Sequence, residues 1–149
     1  MASCRRPRCS LSPVRYTARM TLRALQVWFA LLVAAFLNGT FREVVLAPRF
    51  GVLRSNQFSV VLLCILILVI AFASIRWIAP ATIRDAATIG GLWLVLTLIF
   101  EFGFGRLRGT PWSVLLHDYN LLAGRLWIFV LVVTLAAPYV AMRARHVAG

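Results

Sequence analysis

The chain has 149 residues, 62% hydrophobic and 13% charged, with a mean hydropathy of +0.88 and a formal net charge of +12. A soluble domain carries roughly a quarter charged residues to wet its surface, so a water-soluble globule is excluded. All 16 basic residues are arginine, which removes lysine-dependent chemistry such as a P-loop or a Schiff base. Cys4, Cys9 and Cys64 make no disulfide framework.

In chain order, residues 1–20 come first, rich in Arg, Ser and Pro and free of acids. They read as a disordered basic tail ahead of a domain spanning 21–149. Two alternatives stay open: initiation at Met20, or a cleaved signal peptide whose apolar core lies within Arg23–Leu37. A spanning helix needs about 20 mostly apolar residues to cross a hydrocarbon core of about 30 Å. Four segments qualify, at about 22–47, 58–78, 86–104 and 121–142. Their unbroken apolar runs lack the alternation of a membrane barrel, and backbone groups in lipid must be satisfied locally. The expected fold is therefore all-α, a membrane bundle of four transmembrane helices.

Pro48 and Gly51 close the first span and Pro80 the second, because proline lacks the donor that a continuing helix requires. Thr110-Pro111-Trp112 reads as an N-cap followed by proline at the first helical position. It predicts a short interfacial helix near Pro111–Asn120 ahead of the fourth span. Trp112, His117, Asp118, Tyr119 and Asn120 then form an interfacial polar cap, since amphipathic rings collect at headgroup depth.

With four spans both termini share a side. Ten arginines fall on that side against six elsewhere, which places the termini in the cytoplasm. A start at Met20 narrows the count to five against six, and to five against four in loops. The basic tail is expected to meet anionic lipid headgroups. Nucleic acid is disfavoured, because Tyr16 is the tail's only aromatic residue.

Ionisable groups at bilayer depth are costly and need a partner or a purpose. Asn38 and Arg42 lie four residues apart on one helical face, with Glu43 beside Arg42 but expected to point elsewhere. Gly90, Thr97, Glu101 and Gly105 form a small-and-polar stripe in the third span that should face another helix. Arg125 sits early in the fourth span. Antiparallel packing puts Asn38, Arg42, Glu43, Glu101 and Arg125 in the half of the bundle away from the termini. There Glu101 is expected to neutralise Arg42 or Arg125. The second span, polar only at Ser59, Cys64 and Ser74, reads as the most lipid-exposed wall.

Enzyme chemistry has little to work with. His117 and Asp118 are adjacent, so on a helix they point about 100° apart. There is no H-E-x-x-H, His146 is remote, and no metal or cofactor site is expected. Residues 103–109 lack the dinucleotide-binding spacing. Small multidrug transporters place their membrane glutamate in the first helix, whereas here it falls in the third.

The stretches Asn38-Gly-Thr-Phe-Arg42-Glu43, Glu101-Phe-Gly-Phe-Gly105 and Gly124-Arg125-Leu-Trp127 resemble an uncharacterised family of small four-span bacterial integral membrane proteins. The likeness covers about Leu22 to Arg143 and omits the tail. It implies a bacterial cell membrane and brings no activity, cofactor or partner. The expected function is thus a non-enzymatic structural or accessory membrane component, open to a homo-oligomer or a membrane-complex partner. The alternative is a small transporter or ligand-binding module using the same polar cluster.

Overall fold

The computed structural model describes residues 13–109, 111 and 126–147. Every regular element among them is helical: α1 (Pro13–Phe41), a π turn (Arg42–Leu46), α2 (Ala47–Phe50), α3 (Val52–Ile78), α4 (Ile83–Leu107) and α5 (Trp127–Val147). α1, the π turn and α2 form one rod. Among the described residues four helices are long and apolar enough to cross a membrane: Val14–Phe50, Val52–Ile78, Ile83–Leu107 and Trp127–Arg145. The expected interfacial helix and residues 121–125 of the expected fourth span lie outside the described residues.

The tail expectation needs correction for residues 13–20, which are helical. Met20, Ala24, Val27 and Leu31 are buried, at the four- and three-residue steps of one helical face. Tyr16 packs on the same core one turn earlier. A seam of core contacts therefore starts inside the polar stretch and draws it into the bundle.

Proline shapes the far end of the rod. Pro48 has no N–H to donate, and its ring crowds the carbonyl four residues back. The π turn sits immediately before it, with the Ala47 N–H bonded to the Arg42 carbonyl five residues earlier. That wider turn relieves the clash, so the helix continues past Pro48 to Phe50. It ends at Gly51, whose φ of 77° suits a residue without a side chain.

α3 is the second correction. Ser55, Ser59, Leu63, Ile67, Ala71 and Ile75 are all buried, a strict every-fourth-residue ridge of the kind that packs into a neighbour's groove. The helix lies against both α1 and α5 through this ridge, while Phe58, Val61, Ile65 and Val69 on its other side are exposed. It thus has one packed and one open face and is not the most exposed wall of the bundle. α4 also packs along α5. At Gly90 the two backbones come close: a side-chain carbon placed there would lie 2.1 Å from the Leu135 carbonyl oxygen. Lipid chains are as apolar as leucine, so shape and hydrogen bonds hold such helices together.

Two hydrogen bonds one turn apart join α1 to α4. The Trp93 indole, fully buried, donates to the Ala24 carbonyl at 2.8 Å. One turn further on, the Trp28 indole donates to Thr97 Oγ1 at 3.2 Å. Pro138 inside α5 is buried, and Thr134, four residues before it, donates its hydroxyl to the Val130 carbonyl at 2.7 Å.

Candidate functional site

The two ends of the bundle carry much of its polar chemistry, and α1, α3 and α4 link them over similar lengths. At 1.5 Å per residue, Arg23 and Arg42 stand about 28 Å apart, Asn56 and Arg76 about 30 Å, and Arg84 and Arg106 about 33 Å. A hydrocarbon core is about 30 Å thick.

At the end away from the termini, α1 and α3 face each other through paired polar residues. Asn38 is buried, and its amide nitrogen donates to the Ser59 carbonyl at 3.0 Å and to Ser59 Oγ at 2.8 Å. One turn on, Arg42 donates from Nη1 to Asn56 Oδ1 at 3.0 Å. The shared face of Asn38 and Arg42 is thus met by Asn56 and Ser59, three residues apart on α3 and equally one face.

The partner of Arg42 differs from expectation. Its Nη2 and Nε lie 2.7 and 3.2 Å from Glu43 Oε1, so the adjacent residue neutralises it rather than Glu101. An arginine side chain is long enough to reach sideways around the helix. At this height the guanidinium is drawn to the nearest exposed carboxylate, with Asn56 fixing its other edge. The side chains are 33% and 66% exposed, so the pair adds about 1 kcal/mol at most.

Glu101 belongs to a separate contact. Its Oε2 accepts from the Trp127 indole at 2.9 Å, tying the last turns of α4 to the first of α5. With Gly90 against Leu135, Thr97 against Trp28 and Glu101 against Trp127, the α4 stripe does face other helices, though two of them rather than one. Arg125, Trp112, His117, Asp118, Tyr119 and Asn120 lie outside the described residues. The described members of the expected cluster therefore form an α1–α3 set and an α4–α5 set at the same end.

The terminal end holds a network that sequence reasoning missed. α3 stops at Ala79, which takes a left-handed φ of 56° just before Pro80. The last carbonyls of a helix lack intrahelical partners, and α1 supplies them. Arg23 donates from Nη1 to the Trp77 carbonyl at 2.6 Å and stacks 5.4 Å from that ring's centre. The Tyr16 hydroxyl is 3.2 Å from the Ala79 carbonyl and 3.1 Å from Asp85 Oδ2, and accepts from the Ala81 N–H at 2.9 Å.

Asp85 completes a capping box: Thr82 Oγ1 accepts from the Asp85 N–H while Asp85 Oδ2 accepts from the Thr82 N–H. On the other flank Arg145 of α5 donates to the Phe72 carbonyl. The legible signal was Thr82-Ile-Arg-Asp85 two residues after Pro80, a helix-start pattern. Replacing Tyr16 with phenylalanine is expected to destabilise the bundle by about 1 kcal/mol, read as a lower unfolding midpoint in mixed micelles. An unchanged midpoint would remove Tyr16 from the joint.

Comparison with protein-family models gives no match, and neither does comparison with curated proteins or with solved structures.

Proposed function

We propose that this chain is a multi-pass protein of a bacterial inner membrane, a non-enzymatic structural or accessory component with both termini in the cytoplasm. One observation carries this: the polar side chains between the helices bind other helices. Trp93 reaches Ala24, Trp28 reaches Thr97, Asn38 reaches Ser59, and Trp127 reaches Glu101. Groups used in this way hold a scaffold together. The orientation is supported by Arg15, Arg19, Arg23, Arg76, Arg84, Arg143 and Arg145 at the terminal end, against Arg42, Arg49, Arg54, Arg106 and Arg108 at the other.

The test is Glu101→Gln, read for membrane abundance and for solute or proton flux in vesicles. Removing the charge that faces Trp127 is expected to lower abundance and leave flux at background. Normal abundance with altered flux would overturn the scaffold role. A second reading, a small transporter or ligand-binding module, is favoured by Asn38. Its side-chain oxygen is buried and has no hydrogen-bond partner among the described residues, leaving an unused acceptor beside the Arg42–Asn56 bridge.

A further inference from the structure

We infer that the outward face of α1 is a seam for a second copy of this chain, in which the Gln26 amides of the two copies hydrogen-bond each other near mid-membrane. This rests on the membrane placement proposed above.

Hydrogen bonds fix how α1 stands beside α4. Tyr16 meets Asp85, Ala24 meets Trp93 and Trp28 meets Thr97, each pair 69 residues apart in sequence. The two helices run in the same direction, so residues with that separation share a level. Gln26 is therefore level with Val95, which stands eleven residues from Arg84 and eleven from Arg106. That puts it about 16 Å from either end of the span. A glutamine side chain reaches roughly 5 Å from its Cα, too short to carry the amide to water.

Gln26 is exposed, half a turn away from the buried face of Met20, Ala24, Val27 and Leu31. It has no hydrogen-bond partner among the described residues. Acyl chains offer nothing to its two donors and its acceptor. Leu22, Gln26, Phe29, Val33, Phe36 and Thr40 are all exposed, at alternating four- and three-residue steps. That is the spacing of a seam along which two helices cross at about 20°. The Thr40 hydroxyl donates to the Phe36 carbonyl of its own helix at 3.0 Å, so the amide is the polar group on this seam left to pair.

Depth and the amide itself choose the occupant. Copies inserted by the same rule share an orientation. A two-fold axis along the membrane normal then sets residues of equal height face to face. An amide both donates and accepts, so Gln26 meets its own complement there, each N–H bonded to the other copy's oxygen. A lipid chain presents no such group, and a different protein would need a polar side chain at this one height. No charge lies on the seam. Arg15 is level with Arg84 by the same offset, at the membrane edge, and Arg19 reaches back toward it. Water screens the repulsion between copies at that edge.

Full-length chains carrying a donor or an acceptor dye at the C-terminus are reconstituted in liposomes, and energy transfer is followed as lipid is added. The wild type is expected to dimerise reversibly. Gln26→Leu should weaken the dimer about tenfold, the effect of two interhelical hydrogen bonds at their modest strength in membranes. Membrane abundance should not change, because the side chain touches no other helix. Gln26→Asn keeps the amide and should weaken the dimer less. In a chain whose native cysteines are serine, Val33→Cys should form a disulfide-linked dimer on oxidation. Val69→Cys on α3 and Ile99→Cys on α4, equally exposed positions on other faces, should not.

A wild type that stays monomeric at every dilution would leave the face to lipid and overturn the seam. A dimer that Gln26→Leu leaves intact, or one linked through Val69→Cys or Ile99→Cys instead, would overturn it as well. A photo-crosslinking phenylalanine analogue in place of Phe29 is expected to give a product of twice the chain's mass in cells. A product of another mass would assign the face to a different protein. Carbonate washing is the separate control. If it extracts the wild-type chain, the membrane placement itself has failed; if the chain stays in the pellet and is monomeric, only the seam has.

Discussion

Trp93→Ala is expected to cause the largest loss of stability of any single substitution in the bundle. Trp93 has no exposed surface, and its indole reaches the Ala24 carbonyl across the α1–α4 seam. In a soluble core the truncation of a buried tryptophan to alanine costs about 3–5 kcal/mol. Part of that is transfer from water, a contribution that packing within lipid does not make. What remains is the void, the lost dispersion contacts and the hydrogen bond, together about 2–4 kcal/mol. Trp93→Phe keeps much of the ring volume and loses the donor, so it should cost about 1 kcal/mol. Helicity followed through an SDS titration in mixed micelles measures both. Equal midpoints for the two variants would mean that Trp93 is not a packing centre.

Gly90→Ala comes next, and its effect is steric. The added carbon would lie 2.1 Å from the Leu135 carbonyl oxygen, a backbone atom that cannot turn aside. α4 and α5 would have to separate, at a cost of about 1–3 kcal/mol. The adjacent Gly91→Ala is the control: among the described residues nothing lies within 4 Å of that position. There alanine is expected to be neutral, or to stabilise by up to about 1 kcal/mol through helix propensity. Opposite outcomes at neighbouring glycines, read by the same titration, would locate the α4–α5 contact. A harmless Gly90→Ala would place the two helices further apart.

Hydropathy made the four helices legible because length and apolar content are all that a hydrocarbon core demands of a segment. It could not say which face of each helix turns inward. α3 has the highest mean hydropathy of the four, 3.1, and a face packed against helices looks in composition like one that meets lipid. The discriminating signal was shape, namely the ridge through Ser55, Ser59, Leu63, Ile67, Ala71 and Ile75. Residues 13–20 were misjudged for the complementary reason. Their composition is polar, yet Tyr16 and Met20 extend the spacing of Ala24, Val27 and Leu31.

The candidate site was legible in position and less so in pairing. Helix direction alone puts Asn38, Arg42 and Glu101 at one end, and Asn38 and Arg42 do share a face toward α3. Which carboxylate an arginine meets depends on side-chain reach over a few ångströms. Glu43 won because it is adjacent and exposed, and spacing rules for helical faces carry no such information. The clasp on the end of α3 was hidden for a different reason. Its acceptors are the Trp77, Ala79 and Phe72 carbonyls, and main-chain groups leave no trace in a sequence.

The central claim is that the α1–α3 hairpin end and the α3–α4 turn lie on opposite faces of a membrane, with the turn in the cytoplasm. Single cysteines at Arg54 and Arg84, in a chain whose native cysteines are replaced by serine, test it with a membrane-impermeant maleimide. Arg54→Cys should label in spheroplasts and not in inverted vesicles, and Arg84→Cys should do the reverse. Labelling of both from the same face would contradict the account.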